Sequence, residues 1–475
     1  MLASKAQQSG QLNIGILGGG ITGLTAAFYL LRNGHRVTLL ESRAQVGGLA
    51  TYFDFGPFHW DKFYHCILTS DAPLLQLIED LGLSSEMRWT KTKVGFYTRD
   101  GMYSMSTTMD FLKFPPLSIW EKFRLGLGIL LASRIRDGKK LEGILVSDWL
   151  IKVFGRGNYE KMWAPLLHCK LGVCREEASA AFIWATIFRL YSTREKGSRK
   201  ECLGYVQGGY RTVFSRLLEK VEKMGGDVRT GAAVKRIESH ADGGLDVRTP
   251  SESFHFDRVI ATAPSHIIEQ LVPELSPEYR QRLKEVKYLG MVCIVLLLKR
   301  PLTPYYTTNL TDHSVPFTGV IEMTNLISLE ETAGRHLVYL PKYTAPGDPL
   351  FETSDEDVWA LFQRSLRRMF PDLTDADVER RFVFRERLVQ PLPVLHYSNR
   401  VPGMCTNLAG FLVANTTQII NSTLNNNEMV KIARHVVDVL QTESAAHLTK
   451  EDAAENAKVA ALRHEALQAS KPSEY

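Results

Sequence analysis

What this 475-residue chain lacks narrows it first. Its six cysteines (Cys66, Cys169, Cys174, Cys202, Cys293, Cys405) include no C-x-x-C and no paired spacing. Neither a metal site nor a disulfide framework is indicated, and reduced thiols in a cytoplasmic protein are expected. No run of about 18 apolar residues occurs, which excludes a membrane-spanning helix. Met1 to Gln11 is polar and is not followed by a signal peptide's apolar run, so secretion is not expected. Charge of one sign is scarce too: Lys+Arg 57 against Asp+Glu 52 leaves +5, thinly spread, and no nucleic-acid partner is expected. With 44% hydrophobic residues the composition is globular, and the length exceeds what one core supports, so at least two domains are expected.

From Asn13 the chain reads N-I-G-I-L-G-G-G-I-T-G-L-T-A-A-F-Y-L-L-R-N-G-H-R-V-T-L-L-E. The pattern predicts a strand to Leu17, a loop, a helix to about Asn33 and a second strand ending at Glu41, which is one β-α-β unit. Gly18, Gly20 and Gly23 have G-x-G-x-x-G spacing, with Gly19 and Thr22 between them. Gly18 suits the tight turn, Gly20 the approach of a pyrophosphate, and Gly23 close packing of helix on sheet. The phosphates of a dinucleotide then meet free N–H groups at the helix N-terminus, and Glu41 is placed to accept hydrogen bonds from a ribose. The next segment, Glu41-Ser-Arg43-Ala-Gln-Val-Gly47-Gly48, brings a second glycine pair that lets the backbone pass beside an elongated dinucleotide again, which favours FAD over NAD.

Glycine loop, Glu41, Arg43 and the Gly47-Gly48 pair together resemble the flavin amine oxidase, protoporphyrinogen oxidase and phytoene desaturase superfamily. Many amine oxidases have Arg after the glycine pair; Leu49 stands here, and Gly-Gly-Leu-Ala is more similar to the desaturase and porphyrinogen oxidase branches. The resemblance extends to Gly204-Tyr-Val-Gln-Gly208-Gly209-Tyr210, to a strand over Asp227 to Ile237 whose Val234 backbone would approach the adenine, and to Phe256-Asp257-Arg-Val-Ile-Ala-Thr262-Ala-Pro264. Thr262 and Pro264 are read as structural. Where relatives end their last strand with Gly-Asp or Gly-Glu, this chain has Asn415-Thr416, so an amide or hydroxyl would hold a ribityl hydroxyl.

The fold implied is α/β: a Rossmann-type FAD-binding domain, discontinuous over 11–90, 200–287 and 392–442, with an interleaved α+β substrate domain over 91–199 and 288–391 and a polar tail over 443–475. The first insertion reads as mostly helical. The second reads as strands at Val292 to Leu298, Val315 to Thr324 and His336 to Leu340, then a helix from about Asp355 to Met369. Leu117 to Arg136 is an apolar helix with basic ends. Both a packed cap helix and peripheral contact with a membrane surface fit it.

The densest polar and aromatic cluster is Gly56-Pro-Phe58-His59-Trp60-Asp61-Lys62-Phe63-Tyr64-His65. His59 and His65 are the candidate acid–base groups, since an imidazole titrates near neutral pH. His168 and Lys170 are candidates to face the pocket. No second glycine fingerprint offers a nicotinamide site. The reading is an FAD-dependent oxidase or dehydrogenase acting on a small molecule, with desaturation of an apolar substrate such as an isoprenoid or porphyrinogen preferred. The alternatives are amine oxidation, a non-redox enzyme similar to UDP-galactopyranose mutase, and a structural flavin.

Overall fold

The computed structural model describes residues 10–192 and 202–447. Strands β1 (Asn13–Leu17) and β2 (Arg36–Leu40) flank the helix Ile21–Arg32 as the spacing predicts. With β10 (Asp227–Arg229), β14 (Arg258–Ala261) and β20 (Phe411–Val413) they form a parallel sheet in the order β10-β2-β1-β14-β20. Parallel strands covered on both faces read as near-continuous apolar runs, which is why N-I-G-I-L and R-V-I-A scarcely alternate. One face packs on the helices Ile21–Arg32, Gly209–Lys223 and Asn426–His447 through Leu24, Phe28, Phe214, Val436 and Leu440. The strand order reverses at β1, so a crevice opens beyond the carboxyl ends of β1 and β14.

The other face carries an antiparallel meander of β11 (Arg236–Ser239), β12 (Leu245–Arg248) and β13 (Ser253–Phe256). Phe256 fills the space above Gly15 of β1, where a Cβ would stand 2.5 Å from its ring. The single strand expected over Asp227 to Ile237 is divided: β10 joins the parallel sheet and β11 the meander. Gly231, at φ +69°, turns the chain between them, and the amides of Gly231 and Ala232 donate to the carbonyls of Arg43 and Glu41. Val234 therefore lies in the crossing segment, outside any strand.

A seven-stranded sheet has the order β19 (Val378–Pro391), β15 (Tyr288–Leu298), β18 (His336–Thr344), β17 (Gly319–Glu322), β16 (Thr307–Leu310), β7 (Val94–Thr98) and β8 (Gly101–Ser104). The first insertion thus supplies two strands before its helices begin. The strand expected over Val315 to Thr324 shortens to β17, because Asp312 accepts the Ser314 amide and turns the chain ahead of it. The helix Asp355–Met369 forms as expected. Between the large sheets lie the hairpin β3 (Tyr52–Asp54) and β4 (His59–Asp61) and the sheet β5 (Ile67–Leu68), β9 (Cys202–Val206), β6 (Met87–Lys91). Phe55, Trp60 and Tyr205 from these small sheets pack against Cys293, Leu337 and Tyr339 of the seven-stranded one. The helix Asn426–His447 reaches into the expected polar tail, and residues 448–475 lie outside the described residues.

Glu322 of β17 is fully buried and accepts the amides of Leu302 (3.1 Å) and Thr303 (2.8 Å). Burial outweighs those hydrogen bonds and lifts its carboxyl from 4.5 to about 7. Below pH 4.5 the acid is protonated in both folded and unfolded chains; as pH rises toward 7 only the unfolded chain releases its proton. Stability should accordingly fall across that window by on the order of 3 kcal/mol, at 1.36 kcal/mol per pKa unit. Denaturant titrations from pH 4 to 8 should show the decline in the native protein and a flatter profile in Glu322→Gln.

Candidate functional site

Gly18 leaves β1 at φ +104°, a conformation open to glycine, and a Cβ there would meet the Thr262 hydroxyl at 2.4 Å. That hydroxyl donates to the carbonyl of Leu17 (2.8 Å), so Thr262 ties the end of β14 to the loop, the structural role expected of it. Gly23 is required more strictly, because its Cβ would lie 1.9 Å from the Gly18 carbonyl oxygen. Gly20 differs from both. Its backbone is ordinary and extended, and a Cβ would find only Gly48 Cα, at 3.8 Å. The protein itself does not need glycine at position 20; the opening serves something that passes over the loop.

The helix that starts at Ile21 has no side-chain cap and no acid in its first turn, where Thr22 is buried. Its leading N–H groups therefore remain available to an anion at the positive end of the helix dipole. Gly47 extends the cradle: its amide donates to the Gly19 carbonyl (2.8 Å), and its φ of +122° with Gly48 at +56° keeps the second backbone pass against the loop.

Glu41 ends β2 in a buried position. Oε2 accepts the Gly19 amide (2.6 Å), and Oε1 accepts the Arg43 amide (2.8 Å) and the Ser42 hydroxyl (3.2 Å), which fixes the group and leaves a lone pair on Oε2 for a hydroxyl. Among the described residues the backbone of Val234 makes no hydrogen bond, so its N–H and C=O are free for a base edge. These features fit a dinucleotide: uncapped amides for phosphates, an open glycine for their path, and a fixed carboxylate for a ribose.

Arg43 points elsewhere. Its guanidinium makes a two-pronged contact with Glu386 of β19 (3.1 and 3.0 Å), and Lys62 reaches the same carboxylate at 3.2 Å. Asn415 is also committed internally: its amide donates to the Ala263 carbonyl (2.7 Å), while its oxygen accepts the amide and hydroxyl of Thr417. Thr416 stands beside the phenol of Tyr288.

The two histidines do not share a site. His59 is partly exposed in a cleft of about 470 Å³ with Arg211, Ser215 and Glu331, and Asp54 is 3.8 Å from its Nε2. His65 is mostly buried beside a cavity of about 10 Å³, room for one water, lined by Trp60, Asp61, Cys66, Tyr210 and Met323. Its Nδ1 lies 3.5 Å from Asp61 Oδ2 and, like the Trp60 indole N–H, has no hydrogen-bond partner. Asp61 is held through Oδ1 by the Tyr210 amide (2.8 Å), and Gly209 is needed beside it, since a Cβ would come within 2.8 Å of the carboxylate.

His168 and Lys170 lie on different sides of the helix Ala164–Leu171. His168 Nδ1 is 2.9 Å from Arg175, whereas the Lys170 ammonium lies over the Phe182 ring at 5.4 Å. Burial, and then Arg189, lowers the Lys170 pKa. Sequence reasoning missed the buried pair of Arg189 with Asp71 (3.1 Å). The available signal was one arginine in the apolar helix A-A-F-I-W-A-T-I-F-R-L-Y-S.

The chain is 23% identical over 405 residues to the 15-cis-phytoene desaturase of Solanum lycopersicum, spanning 80% of this chain and 68% of that one. Its fold is similar to an oxidoreductase from Methanosarcina mazei (TM-score 0.70, 18% identity, 90% of this chain and 100% of that one). It is also similar to reduced UDP-galactopyranose mutase (TM-score 0.70, 15% identity, 91% and 96%). The family model "Flavin containing amine oxidoreductase" matches residues 21–403. The chain thus belongs to the flavin containing amine oxidoreductases and is an FAD-dependent oxidoreductase.

Proposed function

We propose that the enzyme dehydrogenates an apolar substrate, introducing a carbon–carbon double bond into a molecule of the isoprenoid or porphyrinogen type. Bound FAD supplies the hydride acceptor for such chemistry. The observation that carries the reading is the state of charge at the junction of the two large sheets. Arg43 and Lys62 share the Glu386 carboxylate, and Arg189 pairs with Asp71. Lys170 is set over the Phe182 ring. A diphosphate-bearing sugar calls for several cations aimed at one point; here aromatic side chains dominate, with Tyr64, Tyr306, Tyr339 and Tyr343 backed by Met291 and Met323. A neutral substrate matches that wall better than an anion. His65, with Asp61 3.5 Å from its Nδ1, is suited to hold or pass a proton.

The helix Ile119–Arg134 supports the same reading from outside. Small residues face inward: Gly128 packs on Phe154, where a Cβ would stand 2.6 Å from the ring, and Ala132 is buried. Large ones face outward: Ile119 is 77% exposed, Trp120 78% and Phe123 65%, continued by Leu127, Leu130 and Leu131 and by Met109 and Leu112 of the preceding turn. This inverts the polarity of a water-facing helix. Lys113, Lys122, Arg124 and Arg134 lie on the same two helices. Such a face suits the interfacial layer of an anionic membrane, from which an apolar substrate would be drawn. No helix among the described residues is long and apolar enough to cross a membrane.

Two measurements test the proposal. Under anaerobic conditions, isoprenoid hydrocarbons or porphyrinogens should bleach the visible absorbance of oxidised flavin. His65→Gln should slow that bleaching by ~10²-fold, with His59→Gln unchanged. Bleaching by amines alone, or isomerisation of a nucleotide sugar by the reduced enzyme, would overturn the assignment. In co-sedimentation, the protein should pellet with vesicles containing phosphatidylglycerol, and Trp120→Ser with Phe123→Ser should leave it in the supernatant; equal pelleting of both proteins would remove this helix from membrane contact.

A further inference from the structure

We propose that His240, Asp246 and His255 form a binding site for a first-row divalent transition-metal ion, on the outer face of the meander and separate from the FAD crevice. The three residues are scattered in sequence and meet through strand pairing. Asp246 of β12 stands directly opposite His255 of β13, and His240 follows the end of β11. A tight loop folds His240 back over β12: its amide donates to the Gly244 carbonyl (3.1 Å), and the Gly243 amide donates to its own carbonyl (3.1 Å). Gly243 and Gly244 have φ of +98° and +79°, and a Cβ on Gly244 would press on the His255 ring at 2.9 Å. The loop thus needs glycine where it makes room for the second imidazole.

The donor geometry suits an ion. Asp246 gives one oxygen to each ring, Oδ2 at 3.0 Å from His240 Nδ1 and Oδ1 at 3.1 Å from His255 Nδ1, and the ring centroids are 4.6 Å apart. All three donor atoms lie within 4.8 Å of one another. Zinc-to-ligand distances of about 2.0–2.2 Å to His nitrogen and carboxylate oxygen place neighbouring donors ~3–3.5 Å apart, so only small side-chain movements close the set around one ion. An ion replaces the protons now shared between the imidazoles and the carboxylate. Two imidazoles and one carboxylate select zinc, nickel, cobalt or copper over calcium or magnesium, which take oxygen ligands. Asp242, 3.7 Å from His240 Nε2, adds a second negative charge beside that ring. The remaining coordination positions face solvent.

The site is tied to the cofactor domain. From His255 the chain runs directly through Phe256, seated over Gly15, to Asp257, whose carboxylate accepts the Asn13 amide (2.6 Å) at the start of β1. An ion joining three strands of the meander would therefore stabilise the layer that supports the nucleotide loop.

Calorimetric titration of the FAD-loaded enzyme with zinc chloride, followed by thermal unfolding, tests the site. One ion per chain and a raised unfolding midpoint are expected, since an ion that binds only the folded chain stabilises it. Asp246→Asn and His255→Gln should each weaken binding at least ~10-fold while retaining FAD. His240→Gln, on the loop side, gives an independent reading should the strand variants misfold. No uptake by the native enzyme, or unaltered uptake by the His240→Gln variant, would overturn the proposal.

Discussion

The contact between Gly23 and the Gly18 carbonyl fixes how the first helix meets the glycine loop, and the arrangement around it depends on that approach. With no Cβ at position 23, the helix Ile21–Arg32 approaches the end of β1 closely enough to direct its uncapped amides across the crevice at the strand-order reversal. Glu41 then reaches the Gly19 amide from the adjacent strand, and Gly47 closes onto Gly19 from the other side. An alanine at 23 would displace the helix, and each of these contacts would lose its partner.

The second layer of the design is electrostatic. Arg43 forms with Lys62 and Glu386 a link from the nucleotide segment to the edge strand of the seven-stranded sheet. Arg189 and Asp71 make a comparable link from the helical insertion to the helix Ala72–Asp80. Both links join parts of the chain far apart in sequence and set Arg43, Lys62 and Arg189 against carboxylates. The interior between the sheets is left to aromatic and methionine side chains, and His65 there stands beside the buried Asp61.

The nucleotide half of the fold was legible because its determinants are local. Gly18, Gly20, Gly23 and Glu41 sit within 24 consecutive residues, and each spacing follows from the geometry of a single β-α-β unit. The rest depends on pairing between distant segments. Periodicity at Val94 to Ser104 carries no sign that these residues complete a sheet begun two hundred positions later. The division of Asp227 to Ile237 turns on one glycine and two hydrogen bonds to the segment just after β2. His59 and His65 look equivalent in a short aromatic stretch, and only the fold sends one to an outer cleft and the other inside. The His240, Asp246 and His255 cluster escaped a search by cysteine spacing because strand register, not sequence proximity, assembles it.

The central claim is that the open side of Gly20 is the path of the FAD pyrophosphate, and Gly20→Ala measures it with little interference. The added methyl meets no protein atom closer than 3.8 Å, so the flavin-free variant should unfold within about 1 kcal/mol of the native protein, the scale of an altered helix cap. FAD titration of the flavin-free forms should nevertheless show affinity reduced by ~10²-fold, the equivalent of about 2.7 kcal/mol. Unchanged FAD affinity in a stably folded Gly20→Ala protein would contradict the account.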